Sequence, residues 1–543
     1  MKIIKIISLS LLLSCGVFAQ NNQLQKPKLV VGIVVDQMRY DYLKRFDSKF
    51  GADGFKRLLK DGYAINNAHF NYIPTYTAVG HTSVYTGTTP FYHGIISNNW
   101  YDKELKKSIY CVDDDRYETV GAKTGGKKSP YRMLSTTVTD QLHLAQNMKG
   151  KTIGVSIKDR SAILPAGHTA NAAYWFEGNT EGKFITSTFY MDKLPKWAAD
   201  FNNSDKAKKY LNTPWVTKYP INTYTESIAD DNPYEGMFKG ETSPTFPHNL
   251  AKLQKENGGY DILKASPQGN SLVKDFAEAT ILGENMGKGA FTDFLALSFS
   301  STDYIGHMYG VDSKEIEDTY IRLDQDIADL LNFLDTQVGI ANYTVFLTAD
   351  HAAVPVPAYL KSLKIPADYI DVKGLVGRVT EITKKFFNAT DLVENTSNYQ
   401  IFLDKERIYE LGLDVNMVAQ TLADELVSFK GIYKTVTAHT MQTTSFNDGI
   451  LKYLQNGYNQ KFSGDVLLVP MPANIAYPHT GTTHGSGYNY DTHVPLIFYG
   501  KGIKTGQSNT YYPIIDIAPT MATLLGIEFP NATSGKVIGE VLK

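Results

Sequence analysis

Cysteine is scarce in this sequence: only Cys15 and Cys111 occur among 543 residues. If the N-terminal segment that contains Cys15 is removed, Cys111 has no partner, and the mature chain has no internal disulfide. A core of this size does not need one. Three aspartates follow Cys111 within four residues and offer nothing to favour a thiolate. We therefore expect Cys111 to be buried, with a raised pKa, rather than catalytic.

An excess of charge of either sign is also missing. Lysine and arginine number 54 against 56 aspartates and glutamates, for a net charge of -2. This balance gives no argument for binding nucleic acid or an anionic membrane surface. Hydrophobic residues make up 43% and charged residues 20%, which is a globular composition. The length fits several ordinary domains or one large α/β enzyme with insertions.

Long apolar runs are absent beyond the N-terminus, so we expect no membrane span. Lys2 and Lys5 precede an apolar run at residues 6–13, which is too short to cross a bilayer. The segment predicts a signal peptide over residues 1–19, cleaved after Ala19, and hence a periplasmic or secreted protein. In the alternative, the residues before Cys15 resemble a lipoprotein signal, and Cys15 would carry a lipid anchor.

Short apolar runs that close on polar or acidic residues predict buried strands. They are residues 29–35, 294–299, 343–347 and 494–499. No polar residue alternates within these runs, which is typical of strands buried on both faces of a parallel sheet. Helical patterns lie between them, most clearly at residues 316–334 after a Ser313 cap. The sequence predicts an α/β fold with a central, mostly parallel sheet flanked by helices on both faces.

Two regions interrupt this pattern within the predicted catalytic domain, residues 20–543. Residues 175–270, rich in Asn, Asp, Pro, Tyr and Thr, predict long loops that cover one face. Residues 362–475 have helices of their own, such as one at 415–429, and short strands. We interpret this second region as an inserted α+β subdomain.

Several candidate ligands follow the predicted strands directly. Asp36 closes the first strand, Asp303 follows the second closely, and Asp350 and His351 follow the third. In open α/β sheets, ligands bind at the carboxyl ends of the strands. Taken alone, Asp36 could equally be a helix cap, and Asp-His pairs are common at strand ends.

Two further histidines complete the set. Asp303 and His307 form a D-x-x-x-H pair, which one helical turn would place side by side. His484 lies in a loop of small residues before the last predicted strand. Each of these is weak alone, but three aspartates and three histidines at one sheet edge predict a metal site. Mixed nitrogen and oxygen ligands suit zinc, and six of them can serve two ions.

A candidate nucleophile is Thr77. The sequence predicts a helix over residues 77–86, ended by Gly87, which would place Thr77 at a helix N-terminus where backbone N–H groups favour a phosphate. A bound zinc would lower the pKa of its hydroxyl. The alternative is that Thr77, or Thr75, is only a helix cap.

Six segments together resemble the alkaline phosphatase superfamily and, within it, the phosphate-irrepressible (PafA-type) monoesterases. In order, they are VGIVVDQMR, PTYTAVGHTSVYTG, SIKDRSAI, SSTDYIGHMYG, TADHA and THGSGYNYDTHVPLIFYGKGI. The similarity runs from about residue 27 to the C-terminus. The resemblance implies a monomeric alkaline phosphatase that hydrolyses small phosphate monoesters, with two zinc ions per chain and a phosphothreonine intermediate.

The resemblance also implies a role for each matching residue. One zinc would be held by Asp303, His307 and His484, and the other by Asp36, Asp350 and His351, with Thr77 as its fourth ligand. The second zinc would activate Thr77, and the first would serve the leaving-group oxygen and then the hydrolytic water.

Three more residues match positions that contact the phosphoryl group. Asn98 would donate to a phosphoryl oxygen, although the match shifts by one if Asn99 is meant. Lys158 and Arg160 match the K-x-R that distinguishes monoesterases from diesterases, since a monoester dianion carries an extra charged oxygen. Without the resemblance, this pair reads as a solvated surface pair.

Rival functions remain at this point. A phosphodiesterase or nucleotide pyrophosphatase on the same site is preferred if Lys158 and Arg160 point away from Thr77. An exported binding lipoprotein with a structural metal site would leave Thr77 without a role. A sulfatase would need a cysteine within C-x-P-x-R, and Cys111 lies in no such motif. We identify no ligands for a third, magnesium site.

Overall fold

A sheet of eleven strands organises residues 26–543, the part of the chain that this computed structural model describes. In chain order its strands are β1 (Leu29–Val35), β2 (Tyr63–His69), β3 (Thr119–Val120), β4 (Thr152–Ser156), β5 (Ala172–Glu177), β6 (Lys183–Ser187), β7 (Asp293–Phe299), β8 (Tyr343–Thr348), β9 (His493–Gly500), β10 (Gly506–Ser508) and β11 (Tyr512–Pro513). Across the sheet the order is β10–β2–β9–β8–β1–β7–β4–β5–β6–β3, and β11 pairs with β2.

The centre of this sheet is parallel and its flanks include antiparallel pairs. Strands β8, β1, β7, β4 and β5 run parallel to one another. In contrast, β9 is antiparallel to both β8 and β2, and β6 is antiparallel to β5. Every residue of β1, β7 and β8 is buried, which explains why these strands read as unbroken apolar runs. The predicted α/β class is confirmed.

Helices pack on the sheet in two groups. The first includes α1 (Thr77–Thr86) and α2 (Asp159–Ala166), and the second includes α3 (Pro267–Gly283), α4 (Ser301–Tyr309) and α5 (Lys314–Gln337). The Ser313 side chain caps α5 by accepting a hydrogen bond from the Ile316 N–H, as the sequence predicted. The other α-helices within residues 26–543 are Tyr42–Arg45, Phe55–Asp61, Pro90–His93, Val138–Ala145, Lys196–Asn202, Lys206–Leu211, Leu250–Leu253, Pro357–Ser362, Val372–Phe387, Lys405–Glu410, Val415–Leu426, Ala438–Thr443, Gly449–Gly457, Asn489–Thr492 and Ile517–Leu525.

An additional α+β subdomain lies between β8 and β9. Its four antiparallel strands are Val393–Ser397, Gln400–Leu403, Ile432–Thr437 and Val466–Pro470. Its helices pack on this sheet around a separate hydrophobic cluster that includes Ile401, Leu422 and Val466. The subdomain is present as predicted, while its bounds at about 362–475 stay a prediction.

The prediction of long loops over residues 175–270 was only partly right. Strand β6 and the helices Lys196–Asn202 and Lys206–Leu211 lie in this region. Strand β6 pairs with β5 in an antiparallel hairpin. Its sequence KFITS is short and mixes polar with apolar residues, so it carries no pattern that would have revealed a strand.

The predicted signal peptide, including Cys15 and Ala19, lies outside the described residues. Within residues 26–543, no helix combines the length and the apolar character that crossing a membrane requires. Cys111 is buried, as expected, and burial raises the pKa of its thiol.

Candidate active site

The carboxyl ends of β1, β7 and β8 bring the predicted ligands together. Val35 lies beside Phe299, and Val34 lies beside Thr348, so the three strands end at one edge. The Asp36 N–H donates to the Phe299 carbonyl at 2.9 Å, which continues the pairing past the end of β1. Asp36, Asp350 and His351 follow at once, and Asp303 lies on the first turn of α4.

One group of side chains consists of Asp36, Asp350 and His351. The His351 Nε2 lies 3.5 Å from Asp36 Oδ1 and 3.5 Å from Asp350 Oδ2. All three residues are buried, and one ligand atom of each lies within 4.8 Å of the others. Asp36 Oδ1 is buried and has no hydrogen-bond partner within the described part of the chain. These three side chains fit one metal ion, as the resemblance implied.

A second group forms around Asp303. Its Oδ1 lies 3.2 Å from His307 Nε2 and 3.6 Å from His484 Nε2. The ring of His484 also stacks on that of His351, with centroids 3.5 Å apart. The three residues whose ligand atoms lie closest together here are therefore Asp303, His351 and His484. His307 contacts this set through its Nε2, which lies near Asp303 Oδ1. All six predicted ligands meet at this site.

The histidines are oriented by backbone carbonyl groups. Their Nδ1 atoms lie near Thr482 O for His307 (2.7 Å), Thr75 O for His484 (2.7 Å) and Ala352 O for His351 (3.1 Å). A carbonyl only accepts, so each Nδ1 donates a hydrogen bond to it, and Nε2 is the ring atom that faces the carboxylates. Burial lowers the pKa of His484 and of His351, which keeps these rings neutral. Neutral imidazoles beside carboxylates form a donor set that fits zinc.

Lys158 lies between the two groups. Its Nζ is 2.8 Å from Asp36 Oδ2 and 2.5 Å from Asp303 Oδ2. Burial would lower the pKa of Lys158, but the carboxylates of Asp303 and Asp36 outweigh it and raise that pKa. Lys158 is therefore a fixed cation directed at two candidate ligands, rather than at Thr77.

Burial and neighbouring charges shift the pKa values of Asp36 and Asp303 in opposite directions. Burial and the nearby Asp350 raise the pKa of Asp36 well above its usual range. Burial acts on Asp303 in the same direction, but His307 and Lys158 outweigh it and hold the pKa of Asp303 well below that range. Packing carboxyl groups this closely raises the free energy of the ionised form, which a divalent ion would lower.

Thr77 is the first residue of α1 and is buried. The N-cap position belongs to Tyr76, whose backbone is extended, so Thr77 is not the cap. Its Oγ lies 3.5 Å from His351 Nε2 and 3.5 Å from Arg160 Nη2. The hydroxyl thus faces both the metal-ligand group and a partly buried cation. Helix α1 ends at Gly87, which has φ 66°, as the sequence predicted.

Of the two candidate asparagines, Asn98 contacts the N-terminus of α1, the helix that begins with Thr77. Its Oδ1 accepts a hydrogen bond from the Ala78 N–H at 2.9 Å, so the amide is held at the N-terminus of α1. The Asn99 side chain is exposed at the start of the strand Asn99–Asp102. An amide whose oxygen is engaged in this way has its two N–H donors left for a ligand.

Two residues that the sequence did not identify support the ligands. His81 Nδ1 lies 2.9 Å from Thr77 O and 3.1 Å from Asp350 Oδ2. Gln37 donates from its backbone N–H to Asp350 Oδ1 at 3.1 Å and from Nε2 to Asp303 Oδ1 at 2.8 Å. The available signals were the i+4 spacing from Thr77 for His81 and the position of Gln37 directly after Asp36.

A glycine lets α1 approach the end of β8. A Cβ atom on Gly80 would lie 2.0 Å from the Asp350 carbonyl oxygen, so any side chain there would push the nucleophile helix away from Asp350. The short distance between Thr77 and His351 therefore depends on Gly80.

Comparisons with known proteins agree with this geometry. The profile of the family described as type I phosphodiesterase / nucleotide pyrophosphatase matches residues 30–491. Alkaline phosphatase PafA of Elizabethkingia meningoseptica is 44% identical over 96% of each chain. A protein of Myroides odoratus named calcium-transporting ATPase is 45% identical over 96% of each chain.

Solved structures give the same assignment. The crystal structure of wild-type PafA matches with a TM-score of 0.92 at 43% identity, covering 96% of this chain and 100% of that one. A PafA variant with a threonine, an asparagine, a lysine and an arginine replaced matches with a TM-score of 0.91. The chain belongs to the alkaline phosphatase superfamily and, within it, to the PafA-type alkaline phosphatases.

Proposed function

We propose that this protein hydrolyses phosphate monoesters through a phosphothreonine intermediate on Thr77, at a site that holds two zinc ions. The observation that carries this proposal is the convergence on Thr77 Oγ of two unlike groups. His351 belongs to the metal-ligand set and Arg160 is a partly buried cation, and both lie 3.5 Å from that oxygen. An alcohol placed between a metal-ligand set and a cation is arranged to attack an anionic substrate.

The zinc ligands would be the six side chains of the two groups, together with Thr77. Bound zinc would supply positive charge that lowers the pKa of the Thr77 hydroxyl and stabilises the leaving oxygen. The support for this occupancy is the donor set itself: three carboxyl groups and three histidines whose Nε2 atoms face them, all meeting at one edge of the sheet.

The remaining steps are assigned to the residues of the chain. Thr77 loses its hydroxyl proton to solvent, its Oγ attacks phosphorus, and the P–O bond to the leaving group breaks. The alkoxide that leaves takes up a proton from solvent water. Water then attacks the phosphothreonine, which releases inorganic phosphate and restores the hydroxyl. The N–H donors of Asn98 and the guanidinium of Arg160 bind the phosphoryl oxygens in both steps. Because Thr77 is buried, the approach of bulk water to the intermediate is limited.

Monoester selectivity is assigned to Lys158 and Arg160. The extra negative oxygen of a monoester gains from two nearby cations, whereas a diester lacks that charge. Their orientations differ, because Arg160 faces Thr77 while Lys158 faces Asp36 and Asp303. The PafA variant of the solved structure also has a lysine and an arginine replaced, the same two residue types as Lys158 and Arg160.

A phosphodiesterase is the second candidate. The family profile carries that description, and the contacts of Lys158 leave Arg160 as the cation beside Thr77. The rates of the wild-type protein on an aryl phosphate monoester and on its methyl diester decide between the two. A higher kcat/KM on the diester would refute the monoesterase.

Thr77→Ala tests the nucleophile. We expect turnover to fall by at least about 10³-fold, since no covalent intermediate can form, with the zinc content unchanged. A control is Thr86→Ala, which removes a hydroxyl from the last turn of α1. Acid quenching during turnover should trap phosphate on Thr77 in the wild type and in Thr86→Ala. Near-wild-type turnover of Thr77→Ala would refute the assignment.

Two further proposals concern the natural context. We propose a monomeric protein that acts on small phosphate monoesters in the periplasm or outside the cell, which cell fractionation and light scattering can test. The name of the Myroides relative implies hydrolysis of ATP coupled to ion transport. Equal rates on sugar phosphates, nucleoside monophosphates and ATP would contradict a dedicated ATPase activity in this protein.

A further inference from the structure

The guanidinium of Arg160 has two differently engaged edges. Nη1 donates to the Tyr110 hydroxyl at 3.0 Å, and Nη2 lies 3.5 Å from Thr77 Oγ. Nε is buried and has no hydrogen-bond partner among residues 26–543. The Nε–H and one Nη2–H lie parallel on the same edge of a guanidinium, the edge that binds two oxygens of a carboxylate or phosphate at once. Tyr110 therefore contacts Arg160 on the side away from this two-donor edge.

Tyr110 is itself held in place. Its hydroxyl donates to Asp159 Oδ1 at 2.5 Å, which leaves its lone pairs to accept from Arg160. Burial raises the pKa of Tyr110 well above its usual range, so the hydroxyl keeps its proton. Lys128 Nζ lies 3.1 Å from Asp159 Oδ2 and 4.8 Å from the centre of the Tyr110 ring.

The two partners come from different parts of the chain. Tyr110 ends the second strand of the hairpin formed by Asn99–Asp102 and Lys107–Tyr110. Asp159 directly precedes Arg160 at the start of α2. The hairpin and α2 are thus joined at the Tyr110 hydroxyl, which accepts from one side chain of α2 and donates to the other.

We propose that Tyr110 is a positioning residue that orients the Nε–Nη2 edge of Arg160 toward the phosphoryl group bound at Thr77. Asp159 and Lys128 hold Tyr110 in that position. The proposal rests on the proposed function, because it assigns to Arg160 the recognition of a phosphoryl group. A free arginine side chain loses rotamer entropy when it binds a ligand, whereas a side chain that is already held in place has lost most of it before binding.

The test is Tyr110→Phe, which removes the hydroxyl and keeps the ring. We expect kcat/KM for an aryl phosphate monoester to fall about tenfold, the effect of losing one hydrogen bond to a charged group. The rate on the matching methyl diester should change by less than about twofold, because selectivity for the dianion is the role of Arg160. In an Arg160→Ala background, the same substitution should have no further effect on the monoester rate.

The matched control is Tyr101→Phe, on the first strand of the same hairpin. Its hydroxyl donates to Glu394 Oε2 at 3.1 Å and takes no part in the Arg160 network. Its removal should leave the monoester-to-diester ratio unchanged. If Tyr110→Phe fails to fold, Asp159→Asn tests the same chain of contacts, with a smaller loss in the same direction expected.

Each outcome separates the positioning role from the proposed function. Equal losses by Tyr110→Phe with and without Arg160, or on both substrates, would overturn the positioning role. If Arg160→Ala alone lowers the monoester-to-diester ratio and Tyr110→Phe does not, the positioning role fails and the proposed function stands. If Arg160→Ala leaves the ratio unchanged, the proposed basis of monoester selectivity itself fails.

Discussion

Removing the guanidinium of Arg160 should remove most of the preference for a phosphate dianion. Arg160 is partly buried, and its Nη2 lies 3.5 Å from Thr77 Oγ, close to where phosphoryl charge develops. Two unit charges about 4 Å apart interact by about 4 kcal/mol at an effective dielectric constant near 20. Loss of one donor to a developing oxyanion typically costs about 2.7–4 kcal/mol. At about 1.4 kcal/mol per factor of ten, Arg160→Ala should lower monoester kcat/KM by about 10²–10³.

The assay compares initial rates on an aryl phosphate monoester and its methyl diester, for zinc-loaded protein at one pH. A diester has one negative charge less at the same position, so its rate should fall by less than about tenfold. Arg160→Lys is the control, since it keeps the charge but loses the two-donor edge, and it should recover only part of the loss. Equal losses on both substrates would refute the reasoning and leave Arg160 with general positioning alone.

Two other perturbations test the metal ligands and a buried carboxyl group far from them. His484→Ala or His307→Ala removes an Nε2 atom that lies within 3.6 Å of Asp303 Oδ1. Each substitution should therefore lower both the zinc content and the rate of hydrolysis. An unchanged zinc content, measured by atomic absorption, would contradict the assignment of these histidines as ligands. Burial raises the pKa of Asp326 to about 7 in the folded protein. The native state then binds an extra proton between about pH 4 and pH 7, so stability falls as pH rises through this window. Asp326→Asn should raise the melting temperature at pH 8 by removing up to about 4 kcal/mol of this loss, with little change at pH 4; an equal shift at both pH values would refute it.

Burial on both faces explains which strands the sequence could predict. Strands β1, β7 and β8 lie at the centre of the sheet, where a side chain on either face meets other side chains, so their residues are mostly apolar. Helix α1 was predicted with correct ends, and Gly87 terminates it in a left-handed conformation. Strand β6 lies next to the edge strand β3, and its short sequence KFITS includes buried polar residues, so its burial did not produce an apolar run.

The membership of the site could also be predicted, because chain order places Asp36, Asp350 and His351 directly at strand ends. The contacts between its members could not. Lys158 bonds to Asp36 and Asp303 across 122 and 145 residues of chain, and such pairings depend on the assembled sheet. The same holds for Tyr110 and Arg160, 50 residues apart on a hairpin and a helix. A K-x-R motif alone does not reveal that its two cations face different partners.

The charge of the site connects metal binding to substrate binding. If Asp36, Asp303 and Asp350 are all ionised, they carry three negative charges, against the two positive charges of Lys158 and Arg160. This balance of about one negative charge would repel a phosphate dianion. With the two proposed zinc ions it becomes about three positive charges, which attract the dianion. Lys158 lies between Asp36 and Asp303, and Arg160 faces Thr77. The two cations of one short motif thus contact different partners, and both add positive charge to the site.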